Sequence, residues 1–157
     1  MVHPLIGIHA VLGELGIFSF LWVFVELLNP TEERIKRAKL AALLGLLFLL
    51  VSWLAGGYYY VAHYGPDVKP IIKEGPTPWA HGIMMETKEH VFLFLPFLAF
   101  MGFALLQKYQ NGLIKHQKAR KYVLAISVLI ILLGLAMAAM GYLISTSARL
   151  ALEVKVI

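Results

Sequence analysis

The sequence predicts an all-α integral membrane protein, an antiparallel four-helix bundle that forms one domain over residues 1–157. Composition is the first reason. With 60% hydrophobic and 15% charged residues, the chain is too apolar for a soluble domain of this size, and its mean hydropathy of +0.77 agrees. The second is the presence of four apolar runs, most of them near or above the ~20 residues a helix needs to cross hydrocarbon. The third is charge placement, because the basic residues collect between the runs rather than within them. Helices are expected at about 4–28, 40–64, 78–107 and 118–147.

Helix one opens with VHPLIGIHAVLGELG, in which Pro4 suits a first helical turn. No basic segment precedes this run and no small-residue cleavage site follows it, so a retained helix is expected rather than a signal peptide. His9, Gly13, Gly16 and Phe20 fall on one helical face. That face either admits a flat ligand close to the backbone or lets another helix approach. Glu14 lies deeper and needs a partner or water, whereas Glu26 is expected at the interface.

Asn29-Pro30 ends the helix, and Thr31-Glu32-Glu33 is an N-cap followed by acidic residues, enough for a short helical turn in a basic loop holding Arg34, Lys36, Arg37 and Lys39. Helix two then runs into Trp53, Gly56, Gly57, Tyr58, Tyr59, Tyr60 and His63, an aromatic group of the kind found at membrane interfaces. Gly56 and His63 share a face two turns apart. Pro66, Pro70, Pro76 and Pro78 make 65–79 an expected extended cover. Helix three carries HGIMMETKEHVFLFLP from His81 to Pro96, with a kink expected at Pro96. A third loop with Lys108, Lys115, Lys118, Arg120 and Lys121 leads to helix four, where Gly134 and Gly141 form a smooth stripe.

By the positive-inside rule the first and third loops are cytoplasmic, and both termini lie outside the plasma membrane. The net charge of +5 is therefore attributed to topology and not to nucleic acid. The absence of cysteine excludes disulfides, thiolate metal sites, cysteine-held iron–sulfur clusters and covalent haem attachment. No hydrolase triad, phosphate loop or nucleotide fingerprint is present, which argues against independent catalysis.

Counting up from the cytoplasmic boundaries puts His9 at a height of ~32 Å and His90 at ~27 Å. His63 and His81 stand higher, at ~36 and ~40 Å. Five of the six histidines, all but His116, thus gather in the outer half. Ionisable groups so near hydrocarbon suggest a site, and His90 shares a helical face with Glu86. Imidazoles on facing helices, glycines to receive a ring and aromatics such as Trp79, Phe92 and Phe94 suit haem b, one or two per chain. His9 and His90 are the expected axial ligands, with His63 and His81 as a second or alternative pair. Gly13 and Gly56 receive the ring, and Glu86 and Lys88 anchor a propionate, orient a ligand or exchange protons at a quinone.

In these histidines and their neighbouring glycines, helices one to three resemble small four-helix membrane cytochromes b. The opening His3-Pro4-Leu5 with His9 is also similar to the start of a group of small bacterial and archaeal membrane proteins. The first resemblance implies electron transfer between haem and a quinone pool or a redox partner protein, the chain acting alone, as an oligomer or as a subunit of a complex. A second expectation is a copper-like transition-metal binding or transport protein, for which Met84, Met85, Met137 and Met140 supply soft thioethers. A third is a structural subunit with interfacial histidines.

Overall fold

A computed structural model describes residues 3–156, which are all-helical without a strand. Helix α1 spans Pro4–Leu28, and α2 spans Glu32–Tyr59. The chain after α2 continues through a π-helical stretch, Tyr60–Val68, into α3, Lys69–Glu74. A second π-helical stretch, Ala80–Met85, leads into α4, Glu86–Val91. Helix α5 covers Phe94–Tyr109, a 3₁₀ turn covers Gln110–Ile114, and α6 covers Gln117–Val156. Four of the resulting helical segments are long and apolar enough to cross a membrane: Pro4–Leu28, Glu32–Glu74, Ala80–Tyr109 and Gln117–Val154. The terminal residues Met1, Val2 and Ile157, whose side of the membrane the sequence predicts, lie outside the described residues.

Local chemistry explains each boundary. At the start of α1 the His3 Nδ1 accepts from the Leu5 N–H at 3.3 Å, and Pro4 occupies a first-turn position where no N–H is needed. The Thr31 hydroxyl accepts from the Arg34 N–H at 3.2 Å, and Glu32 and Glu33 face the positive end of the α2 dipole. This cap begins a full helix, so the basic stretch expected as a loop forms the first turns of α2 instead.

The largest departure from expectation is the proline-rich segment after His63. Expected as extended cover, it is helical as far as Glu74. Pro66 sits inside the π-helical stretch, where bonding shifts to wider turns, as in the Lys69 N–H donated to the Tyr64 carbonyl. Pro70 falls in the first turn of α3, which tolerates its missing N–H. The helix ends at Gly75, where a Cβ would stand 2.6 Å from the Ala151 Cβ, so glycine lets α6 close against this end. Helix α6 likewise continues beyond the expected boundary, and Ile144 packs with Tyr64, Ile72 and Ala80 in a second small core. Prolines that look like loop signals are thus accommodated by packing on a neighbouring helix. Helix three breaks at Phe92–Leu93; the Phe92 carbonyl is the one Pro96, with no N–H, cannot serve.

The four segments contact one another in a ring, α1 against α2 and α6, and α5 against α2 and α6. The main core joins Phe20, Val23 and Leu27 of α1 to Ala42 and Leu46 of α2, Leu106 of α5 and Val123 and Ile130 of α6. It fills the half of the bundle near the α1–α2 turn. In the other half, no residue of α1 before Gly16 is buried, and none of α4. Large apolar side chains such as Phe18, Leu54, Phe97 and Leu132 point outward all round.

Candidate functional site

The loosely packed half holds five histidines, and its geometry begins with His9. The His9 Nδ1 lies 2.9 Å from the Ser52 carbonyl oxygen and 3.0 Å from the Ser52 hydroxyl, which itself donates to the His9 carbonyl at 2.7 Å. A carbonyl only accepts, so Nδ1 carries the proton and Nε2 keeps its lone pair. Ser52 was not singled out in the sequence; a lone serine inside an apolar helix was the available signal.

The face His9, Gly13, Gly16, Phe20 is covered by α2. A Cβ on Gly56 would come within 2.6 Å of His9 Nδ1, one on Gly13 within 3.3 Å of the Ser52 hydroxyl, and one on Gly16 within 2.6 Å of Leu49 Cγ. Of the two uses expected for this face, close approach of another helix is the one found. The space at Gly56 is filled by the His9 imidazole itself. The open side of His9 meets the edge of Phe92, with ring centroids 6.3 Å apart, and Phe92 stacks on Trp53 at 6.0 Å.

His90 is exposed, and its Nδ1 lies 2.6 Å from the Glu86 carbonyl oxygen, not from the Glu86 carboxylate. This again fixes the proton on Nδ1. Phe92 turns toward His9, and His90, two residues earlier, lies roughly 160° round the helix. The structure therefore does not bring His9 and His90 together across the bundle. His63 instead meets His3 in a tilted ring contact, with centroids 4.3 Å apart, and stacks on Tyr59 at 5.7 Å. His81 is only 3% exposed and pairs with Tyr64, whose hydroxyl is 3.1 Å from Nδ1. His63 and His81 thus belong to different clusters. Tyr64, which lies outside the aromatic group expected at the interface, is a buried hydrogen-bonding partner of His81, a role visible only once Pro66 is placed inside a helix.

Two charged side chains complete the site. Lys88 is half-buried with its ammonium against α6, so that a Cβ on Gly141 would stand 3.0 Å from Nζ. Among the described residues no carboxylate forms an ion pair with it. The Glu89 Oε1 is buried without a hydrogen-bond partner among the described residues. Glu86 is exposed.

Toward haem the site offers imidazoles anchored at Nδ1 in His9, His81 and His90, and in Lys88 a half-buried cation of the kind that suits a propionate. Gly13 and Gly56 do not form a groove for its ring. Among the described residues no three histidine, aspartate or glutamate side chains come together as a metal-ion site would require. Met137 belongs to the main core, and Met84 and Met85 pack on the second one. No protein-family model, curated protein or solved structure matches the chain.

Proposed function

We propose that the chain is a multi-pass plasma-membrane protein that holds haem b in the loosely packed half of an antiparallel four-helix bundle and passes electrons there. The observations that carry this reading are the His9 imidazole, anchored at Nδ1 by the Ser52 carbonyl, and the half-buried Lys88 side chain, which has no carboxylate partner among the described residues. A half-buried cation with no carboxylate partner among the described residues carries a desolvation cost, and an anionic ligand offsets it. Haem b combines the two chemistries required, an iron that takes Nε2 and carboxylates that take Lys88. When bound it supplies a one-electron iron couple. His9 is the interior ligand, held in orientation by Ser52. His90, His63 and His81 are candidates for the second axial position, His90 by way of a neighbouring copy or subunit because its ring is exposed. Quinone or a redox partner protein exchanges the electrons.

The antiparallel arrangement is supported by the contacts of α1 with α2, which run in opposite order: His9 with Gly56, Gly13 with Ser52, Gly16 with Leu49, Phe20 with Gly45. Outward apolar side chains support contact with lipid. The basic residues near the α1–α2 and α5–α6 connections support a cytoplasmic side for both. Single cysteines near Arg37 and Lys118 are expected to resist a membrane-impermeant reagent that labels one near Lys73; the reverse pattern would overturn the orientation.

A reduced-minus-oxidised spectrum of the purified protein tests the cofactor. The expected result is a low-spin b-type spectrum that His9→Ala abolishes, while Lys88→Met retains the spectral type but loses haem more readily. A wild-type protein without a Soret band, or a His9→Ala protein with a full low-spin complement, would defeat the proposal.

A further inference from the structure

The connection between α5 and α6 takes no part in the haem site, yet it concentrates unneutralised charge. Lys108, Lys115, Lys118, Arg120 and Lys121 lie in it or at its edges, and between Glu89 and Glu153 the chain has no acidic residue. Among the described residues none of these cations forms an ion pair; the pairs present use Glu26 and Glu33, which are engaged by Arg34, Arg37 and Lys36. The 3₁₀ turn contacts α2, and its Leu113 is buried in the same core as Ile35, so both basic connections share one end of the bundle. This end is shaped as well as charged. Tyr109, Lys115, His116, Gln117, Lys118 and Ala119 line an open cavity of about 440 Å³. Lys108 Nζ lies 5.7 Å from the centroid of the Tyr109 ring, and the His116 ring meets the same ring at 5.8 Å. The His116 N–H donates to the Gly112 carbonyl at 2.8 Å, and a Cβ on Gly112 would stand 3.2 Å from His116 Cδ2, so the imidazole is folded onto the 3₁₀ turn. Ala119, only 5% exposed, ties the cavity to the main core.

The cavity lies where two membrane-capable segments meet, since Tyr109 ends one and Gln117 begins the next. Outward apolar side chains follow within a few turns on both, Phe100 and Met101 on α5 and Tyr122 and Val128 on α6. We propose that this cavity holds the phosphate of an anionic phospholipid, with Lys115 and Lys118 as its cationic contacts and the acyl chains along the outward faces of α5 and α6. An anion dissolved in water would satisfy the lysines alone, whereas an amphiphile satisfies the lysines and the apolar faces beside them. A cluster of cations just beyond the end of a membrane helix is attracted to an anionic leaflet, and Lys108, Arg120 and Lys121 add to that attraction. An ammonium meets phosphate as a point charge, so lysines around a concavity select for headgroup charge over headgroup shape. The assignment rests on the membrane reading and is independent of haem.

Native mass spectrometry of the full-length protein, released from nanodiscs of equal parts phosphatidylcholine and phosphatidylglycerol, reads the lipid that stays bound. The wild type is expected to carry phosphatidylglycerol in preference to phosphatidylcholine. Joint substitution Lys115→Gln and Lys118→Gln should lower the phosphatidylglycerol carried by about tenfold, and Lys115→Arg with Lys118→Arg should keep it. Lys69→Gln with Lys73→Gln removes the same charge from the other end of the bundle and should also keep it. No preference in the wild type overturns the proposal, and so do equal losses in the two glutamine pairs, which would reduce the effect to net charge. If the Lys115 and Lys118 pair does not fold, Lys118→Gln alone decides, an undiminished preference overturning the site. Calorimetry with inorganic phosphate in detergent separates the two sources of the anion: phosphate binding without any preference for phosphatidylglycerol makes this a free-phosphate site and overturns the lipid assignment. Protein that enters neither these nanodiscs nor ones of phosphatidylcholine alone defeats the membrane reading, and the lipid site with it.

Discussion

Replacing Glu26 by alanine is expected to lower the stability of the bundle by about 2–3 kcal/mol, a value set by loss of charged hydrogen bonds whose arginine partners regain water. Glu26 is 7% exposed and accepts from Trp22 Nε1 at 3.0 Å, Arg34 Nε at 2.8 Å, and Arg37 Nε and Nη2 at 2.7 and 3.1 Å. Arg34 also donates through Nη2 to the Val25 carbonyl at 2.7 Å, serving one of the orphan carbonyls at the end of α1. One carboxylate thus ties the last turn of α1 to the first turns of α2 across a three-residue connection. The Glu33–Lys36 pair is the control. Its 2.8 Å contact is as short, yet its side chains are 72% and 63% exposed, so Glu33→Ala should cost no more than about 0.5 kcal/mol. Thermal unfolding in detergent followed by circular dichroism reads both. Equal effects from the two substitutions would mean that the buried hub contributes nothing beyond surface pairing.

That hub also marks the limit of sequence reasoning. Glu26 is legible as a carboxylate near a helix end, and Arg34 and Arg37 as members of a basic stretch. Only the tight reversal at Asn29–Thr31 brings them together. Helices are legible because apolar length and periodicity are local properties. Their ends after His63 are not, because Pro66 and Pro70 are admitted by a switch to wider turns and by the support of α6, neither of which leaves a local signature. The candidate site divides the same way. His9 and its glycines are readable as one face, but the partner of that face is a nonlocal matter, and α2 takes it. His90 is readable beside Glu86, but the bond goes to the backbone carbonyl, which every residue possesses. The pairing of Tyr64 with His81 joins two helical segments and has no spacing rule to reveal it.

The α1–α2 seam should be the most sensitive part of the chain to added volume. At Gly45 a Cβ would stand 2.8 and 2.9 Å from Phe20 Cε2 and Cδ2 and 3.0 Å from Ser19 Cβ. Phe20 is fully buried in the main core, so its ring has no free rotamer to retreat into. Gly45→Ala is therefore expected to cost about 1–3 kcal/mol, and Gly45→Leu more, because the helices must separate along a contact that depends on close backbone approach. Helix propensity works the other way, since alanine is favoured over glycine by about 1 kcal/mol in a helix interior. Gly57 lies in the same helix with nothing within 4 Å of its would-be Cβ. Gly57→Ala should consequently leave stability unchanged or raise it. Opposite signs at Gly45 and Gly57, measured as shifts in the thermal midpoint, are the expected outcome. Adding Phe20→Leu to Gly45→Ala should recover part of the loss, as substitutions in contact are coupled. Should Gly45→Ala stabilise the protein as Gly57→Ala does, α1 and α2 are not packed as closely as these contacts require, and the position of His9 against Ser52 and Gly56 goes with them.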